Sequence, residues 1–266
     1  MAADVAPHVV VGAGAVGSVV AELLVDRGER VRVITRRGTA VPGAEPVAAD
    51  ASDAARLSEL TAGAAVVYNC VSVPYRHWLR DWPPIAQALL TAAETSGAVL
   101  AVTGNLYGYG PVEGVLTEDL PLAATGRKGR LRAAMSEAAF AAHRAGRVRV
   151  VEVRGSDYLG GDSVLSAFAR RALRDGGTAR VPADLDAPHS WTNVRDVAML
   201  LVTAAADPRA WGRAWHVPSA PACSIRELAR LAAAATGKPA RLRTMPLWAL
   251  RGVAVVHPLA RELLET

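Results

Sequence analysis

The sequence predicts an α/β protein with a doubly wound parallel sheet and a small C-terminal lobe. Apolar runs of strand length alternate with stretches of helical periodicity from residue 8 to about residue 155. A glycine-rich turn joins the first run to the first helical stretch, and beyond residue 155 glycines and Pro182 divide the chain into shorter pieces. Strands that alternate with helices of this length form parallel sheets covered by helices on both faces.

The first elements are a strand, a tight turn, a helix and a second strand. Residues 8–11 form a short apolar run, and apolar residues at helical spacing follow from Val16 to Leu24. Gly28 provides the helix stop, and residues 31–35 are rich in β-branched side chains. This order is typical of a βαβ unit.

The later elements continue the alternation. Ser224, with Glu227 three residues later, predicts a capping box at the start of a helix. We predict strands at 65–70, 98–103 and 148–154, and helices at 83–96, 127–145, 194–206, 225–236 and from 247.

The glycine-rich turn runs from Gly12 to Gly17 and predicts a site for the pyrophosphate of a dinucleotide, because it follows a strand and opens a helix. Gly12 allows the tight turn, Gly14 lets the backbone approach the pyrophosphate, and Gly17 lets the helix pack close to the strand. Ala15 and Val16 complete the predicted contact. The alternative is a structural turn that binds no ligand.

This turn makes residues 1–155 a predicted Rossmann-type dinucleotide-binding domain. We assign residues 156–266 mainly to a substrate lobe, with 189–206 returning to the first domain. The second strand ends in Thr35-Arg36-Arg37 rather than in an acidic residue. Guanidinium groups bind a 2′-phosphate that a carboxylate would repel, so we expect NADP rather than NAD. The alternative is that both arginines project into solvent.

Composition narrows the class of protein. The net charge of +5 comes from scattered basic residues, a pattern that does not favour binding to nucleic acid. No apolar run of about 18 residues and no signal sequence are present, so we expect a cytoplasmic protein with a small-molecule substrate and no membrane partner.

Cys70 and Cys223 are expected to be reduced. His189 and His216 lack further ligands at zinc-site spacing, so we expect no metal.

Several further motifs follow the glycine turn in order. They are Ala-Asp-Ala-Ser-Asp at 49–53, Val-Val-Tyr-Asn-Cys-Val at 66–71, Ala-Val-Thr-Gly-Asn-Leu-Tyr-Gly at 101–108 and Val-Arg-Asp-Val-Ala at 194–198. Together they resemble the extended or atypical short-chain dehydrogenase/reductases, in particular the NAD-dependent epimerase/dehydratase family.

The resemblance implies roles for individual residues. It places Asp50, with Ala51 beside it, against the adenine amino group, and Cys70 and Val71 under the nicotinamide ribose. It also implies a homodimer in which the helices at 83–96 and 127–145 pack against those of a second subunit.

The resemblance fails at one catalytic position. In the family a tyrosine exchanges a proton with the substrate oxygen, a lysine four residues later lowers the tyrosine pKa and holds the nicotinamide ribose, and a serine or threonine positions the oxygen. Here Thr103 and Lys128 stand at matching positions, but Ala124 replaces the tyrosine, and a methyl group transfers no proton.

A replacement has to lie near the carboxyl ends of the strands, where ligands of such sheets bind. Tyr75, just beyond the predicted strand at 65–70, is the first candidate. Other candidates are Tyr107, Tyr109, Tyr158 and His77.

The sequence is compatible with three functions. The first is an NADP-dependent oxidoreductase that moves hydride to or from a small carbonyl or alcohol. The second is an NAD(P)-dependent sugar-nucleotide epimerase or dehydratase, and the third is a catalytically inactive NADP(H)-binding sensor or regulator.

Overall fold

The computed structural model describes residues 6–159 and 163–256. The strands in chain order are β1 His8–Val11, β2 Val31–Thr35, β3 Glu45–Ala48, β4 Val66–Asn69, β5 Val99–Asn105, β6 Arg149–Gly155, β7 Asp157–Leu159, β8 Gly177–Val181, β9 Trp191–Asn193, β10 Ala214–His216 and β11 Ala240–Thr244. The helices are α1 Ala15–Asp26, α2 Ala54–Leu60, α3 Trp78–Ser96, α4 Arg127–Arg144, α5 Val164–Asp175, α6 Val194–Ala206, α7 Ile225–Thr236 and α8 Leu247–Val256.

Seven strands form one sheet in the order β10-β6-β5-β4-β1-β2-β3, and every neighbouring pair is parallel. The chain proceeds outward from β1 to β3 and then returns to β4 on the other side of β1. This reversal opens a crevice at the carboxyl ends of β1 and β4, where ligands of doubly wound sheets bind. The predicted fold class is confirmed.

The sheet is held by a continuous apolar row across its centre. Val9, Val67, Leu100 and Val150 are in register on β1, β4, β5 and β6, and all are buried. Helix α3 covers this row and belongs to the same cluster. Burying an aliphatic side chain of this size contributes about 1.5–3 kcal/mol, so the row stabilises both the strand order and the register.

Helix α3 differs from its prediction. The sequence places this helix at about 83–96, and proline is favoured in a first turn and disfavoured inside a helix. In the structure the helix begins at Trp78 and contains both Pro83 and Pro84. Trp78 and Trp82 are buried, and a buried aromatic side chain removes about 150–250 Å² from water. Tertiary burial therefore stabilises the turn that precedes the prolines.

The chain divides into two compact units, Met1–Gly155 with Arg195–Val217, and Ser156–Val194 with Pro218–Thr266. The segment that returns to the first unit is thus 195–217, whereas the sequence places it at 189–206. The second unit contains the parallel pairs β8·β11 and β7·β9 and its own apolar cluster. The predicted capping box is confirmed, since Ser224 and Glu227 exchange side chain to backbone hydrogen bonds.

None of the helices in the described ranges is long and apolar enough to cross a lipid bilayer.

Candidate functional site

The glycine turn contains two glycines that the fold itself requires. Gly12 has φ +99°, and a Cβ there would lie 2.5 Å from the carbonyl oxygen of Cys70. A Cβ on Gly17 would lie 1.8 Å from the carbonyl oxygen of Gly12. Both positions exclude any side chain, because the start of α1 packs directly on the turn after β1 and on the end of β4.

Gly14 is different, because the protein itself does not need a glycine there. Its φ of −81° is open to any residue, and a Cβ would meet nothing within 4 Å. It is the N-cap of α1, which has no side-chain cap and no acidic residue in its first turn. Uncapped amide groups at a helix N-terminus bind anions, so this exposed cradle fits a pyrophosphate. Ala15 is exposed beside it, and Val16 is buried, so only the backbone of Val16 can reach a ligand.

The predicted adenosine residues lie at the ends of β2 and β3. Arg36 and Arg37 are exposed directly after β2. Asp50 accepts hydrogen bonds from the Ser52 amide (2.9 Å) and hydroxyl (2.7 Å), both on Oδ1. These bonds hold the pKa of the Asp50 carboxyl below its usual range, and Arg36 adds to the effect. Ala51 is half-buried next to this carboxylate.

A hydrogen bond between Thr103 and Cys70 joins the carboxyl ends of β5 and β4. The Thr103 hydroxyl donates to Cys70 Sγ at 3.7 Å. Burial raises the pKa of the Cys70 thiol to about 12, so it stays protonated near neutrality and does not act as a nucleophile. Sulfur is a weak acceptor, so Thr103 can exchange this bond for one to a substrate oxygen at little cost. Val71 follows, and its amide donates to Asn69 Oδ1.

Two buried cations lie one turn apart on α4. Lys128 is 6% exposed, and its Nζ lies 5.9 Å from the centre of the Tyr75 ring. Arg132 is 8% exposed, donates to the Thr103 carbonyl at 3.2 Å and lies 4.9 Å from the Trp82 ring. Sequence reasoning missed Arg132. The spacing of four residues after Lys128 on a predicted helix was the available signal.

The structure brings Tyr75 together with Tyr107. Their hydroxyl groups share a direct hydrogen bond, although one follows β4 and the other follows β5. Trp78 stacks on the Tyr75 ring at 4.7 Å between centroids and lies 5.7 Å from the Tyr107 ring. The site around Lys128 therefore holds two phenols, where the sequence favoured one.

Three further candidates are Tyr109, Tyr158 and His77. The Tyr109 hydroxyl bonds to Arg154 (2.6 Å) and to His216 (2.8 Å) in a buried network. Tyr158 lies on β7 in the second unit. His77 is held through both ring nitrogens by arginine side chains. The Tyr109 hydroxyl and the His77 ring thus have hydrogen-bond partners other than the Tyr75 hydroxyl.

Ala124 lies outside the helix that carries Lys128. Helix α4 begins at Arg127 with Gly126 as its N-cap, and the Ala124 amide donates to the Gly108 carbonyl at 3.1 Å. A Cβ on Gly129 would lie 2.5 Å from the Ala124 Cβ, which shows how closely α4 packs here. Residues four apart share one face of a helix, and position 124 lies before the helix that contains Lys128.

The parallel sheet, the reversal at β1 and the glycine cradle at α1 together define a Rossmann-type α/β protein. The chain belongs to the NAD dependent epimerase/dehydratase family, because a sequence profile of that family matches residues 8–217. The resemblance inferred from the motifs is thus confirmed.

Solved structures share this fold. The UDP-glucuronic acid 4-epimerase from Bacillus cereus in complex with NAD superposes with a TM-score of 0.79 at 18% identity, over 90% of this chain and 87% of that chain. The UDP-glucose 4-epimerase from Brucella ovis in complex with NAD gives 0.76 at 20% identity, over 90% and 85%. MoeE5 in complex with UDP-glucose and NAD gives 0.76 at 23% identity, over 90% and 85%. A comparison with curated proteins found no match.

Alanine substitutions at Gly17 and at Gly14 should have opposite effects on stability and on NADH binding. Gly17→Ala should lower the free energy of unfolding by about 1–3 kcal/mol or more, because the Gly12 carbonyl has to move. Gly14→Ala should keep or slightly raise stability and should weaken NADH binding, because its methyl group occupies only the cradle. Urea unfolding and NADH fluorescence titration measure both effects. Unchanged NADH affinity in Gly14→Ala would contradict a dinucleotide site at this turn.

Restoring the family tyrosine should not restore its chemistry. We expect Ala124→Tyr to destabilise the protein by about 1–3 kcal/mol through overpacking, and to leave any turnover no faster. Ala123→Tyr, at an exposed neighbouring position, is the matched control and should be nearly neutral. The checks are urea unfolding and the absorbance of reduced dinucleotide. An increase in rate for Ala124→Tyr would show that position 124 reaches the reacting group after all.

Proposed function

We propose that the protein is a nicotinamide-dinucleotide-dependent enzyme that removes hydride from, or returns it to, an oxygen-bearing carbon of a nucleotide sugar. The main support for this proposal is the open space around Gly14 at the N-terminus of α1. A Cβ at Gly14 would meet no protein atom within 4 Å, and the uncapped helix N-terminus suits a pyrophosphate. Family membership supports epimerase or dehydratase chemistry. The solved UDP-sugar enzymes support the substrate class through their shared fold.

A second candidate is a net oxidoreductase acting on a small carbonyl or alcohol. It shares the first chemical step with the epimerase, namely loss of hydride from carbon and of a proton from oxygen. The two differ in whether the hydride returns to the same substrate within one turnover. Reduced dinucleotide is released only by the oxidoreductase.

The residues of the chain have separate tasks in this step. A nicotinamide dinucleotide, when bound, would supply the hydride acceptor and donor. Lys128 binds the ribose next to the nicotinamide, and the Thr103 hydroxyl donates to the substrate oxygen. Tyr75 holds the proton that the substrate oxygen gains or loses. The burial of Lys128 strengthens its electrostatic effect, because fewer water molecules screen it.

NAD is the cofactor that the family description and the solved complexes favour. The preference for NADP expected from the sequence gains no support from these comparisons. Arg36 and Arg37 are nevertheless exposed at the carboxyl end of β2, where proteins of this fold bind the 2′-phosphate of NADP. We propose that the protein binds NAD, and that these arginines add affinity for NADP.

We also propose a homodimer through α3 and α4. A cavity of about 310 Å³ lies between these helices, lined mainly by alanines and by apolar side chains that include Met135 and Phe140. The corresponding helices of a second copy would cover this apolar lining. Sedimentation velocity distinguishes a dimer from a monomer.

The arginine pair can be tested by comparing two cofactors. The double variant Arg36→Ala/Arg37→Ala should weaken NADPH binding about 10- to 100-fold, the equivalent of one charge-assisted hydrogen bond, and leave NADH binding unchanged. Arg27→Ala/Arg56→Ala removes two other exposed charges and should alter neither affinity. If the first double variant keeps its affinity for NADPH, the two arginines only face solvent.

Turnover should depend on Thr103. With NAD and UDP-glucose, UDP-glucuronic acid or a panel of small ketones, Thr103→Val should reduce the rate on the order of 100-fold and leave NADH affinity unchanged. Thr178→Val on β8 is the matched control. Chromatography of the sugar nucleotides separates epimers, while absorbance detects released NADH. A protein that binds NADH but converts none of these compounds would fit the sensor alternative.

A further inference from the structure

We propose that Tyr75 and Tyr107 act as one proton-transfer unit, in place of the tyrosine that is absent at position 124. The proposal rests on the proposed function, because the pair has a proton to move only if hydride chemistry takes place. The two residues are 32 positions apart, yet their hydroxyl groups bond directly to each other.

The fold holds both phenols at the ligand-binding edge of the sheet. Tyr75 lies in the turn after β4, and Tyr107 lies in the turn after β5. Trp78 fixes their orientation, since it stacks on Tyr75 with an angle of 15° between the ring planes and donates its indole N–H to the Val73 carbonyl at 2.8 Å. The hydroxyl groups are therefore positioned before any substrate binds.

Two cations stand next to the ring cluster. Lys128 Nζ is 5.9 Å from the Tyr75 ring centre, and the Arg132 guanidinium is 5.8 Å from the Trp78 ring. Both cations are buried, so their field reaches the phenols with little screening. A positive field stabilises the negative oxygen that a phenol carries after its proton has left. The arrangement thus supplies what the family lysine supplies to its tyrosine.

When a carbonyl is reduced, a bound reduced dinucleotide would supply the hydride to the carbonyl carbon, and the carbonyl oxygen takes the proton of Tyr75. As the Tyr75 O–H bond breaks, the Tyr107 proton moves to the Tyr75 oxygen. The Tyr107 oxygen then regains a proton from water. Alcohol oxidation uses the same bonds in the reverse order and releases one proton to water.

A double-mutant cycle on stability tests the pair without cofactor or substrate. Tyr75→Phe and Tyr107→Phe each remove one side of the same hydrogen bond, so the double variant should be no less stable than the weaker single variant. Urea unfolding of the full chain measures the three variants. Tyr68→Phe, which removes the hydroxyl that bonds to His8, should combine additively with either. Additive losses for Tyr75→Phe and Tyr107→Phe would overturn the pairing.

The kinetic test uses NAD or NADP with UDP-glucose, UDP-glucuronic acid or the ketone panel. Each single variant should reduce kcat on the order of 100-fold with dinucleotide affinity unchanged. The double variant should be no slower than the slower single variant, since groups that act as a unit are not additive. Tyr68→Phe should turn over at the wild-type rate.

The outcomes separate two kinds of failure. A wild-type protein that binds no dinucleotide, or that turns over none of these compounds, overturns the proposed function and this proposal together. A Tyr107→Phe variant with the wild-type kcat overturns only the proton pair. In that case Tyr75 alone remains the proton donor of the proposed function.

Discussion

The close approach of α1 to the end of β4 is the constraint on which the rest of the structure depends. Gly12 and Gly17 have no room for a Cβ, since the nearest backbone oxygens are 2.5 and 1.8 Å from where it would lie. This contact fixes α1 over the reversal point of the sheet. The uncapped N-terminus of α1 then opens at the crevice where β1 and β4 end. The position of the anion cradle is thus a consequence of backbone packing.

Close packing also constrains the start of α4. Lys128 is buried in the first turn of α4, and Thr103 lies near the end of β5. Position 124 lies before that helix, and its methyl group faces Gly129 across a contact too close for a second Cβ. A large side chain would disturb the start of α4 and with it Lys128. The phenols that lie near Lys128 come instead from the turns after β4 and β5.

Buried charge distinguishes this site from an ordinary apolar helix face. Lys128 and Arg132 lie against aromatic rings and backbone oxygen, and each buried cation would be costly without such neighbours. Arg154 is a third buried cation, and its bonds to neighbouring side chains hold two elements of the sheet together. It binds Glu152, Ser136 and Tyr109 in one buried network, which fixes the turn after β5 to β6. Tyr107 stands in that same turn, so the network also supports the phenol pair.

The sequence by itself determined most of the strands and helices of the first 155 residues, the three helices from residue 194 onward, the glycine turn and the capping box at Ser224. These features depend on local periodicity and on backbone conformations that few residues adopt. It also indicated Tyr75, which follows a strand end, whereas Thr103 and Lys128 were implied by the family resemblance. It placed the start of α3 at Pro83 rather than Trp78, since burial of two tryptophans is not a local property.

Only the tertiary structure decided which tyrosine accompanies Tyr75. Tyr107 and Tyr109 are two residues apart, and nothing in the sequence separates them. Their side chains leave one short turn in different directions, so Tyr107 meets Tyr75 while Tyr109 meets Arg154. Contacts between distant segments depend on side-chain direction, which sequence spacing does not specify.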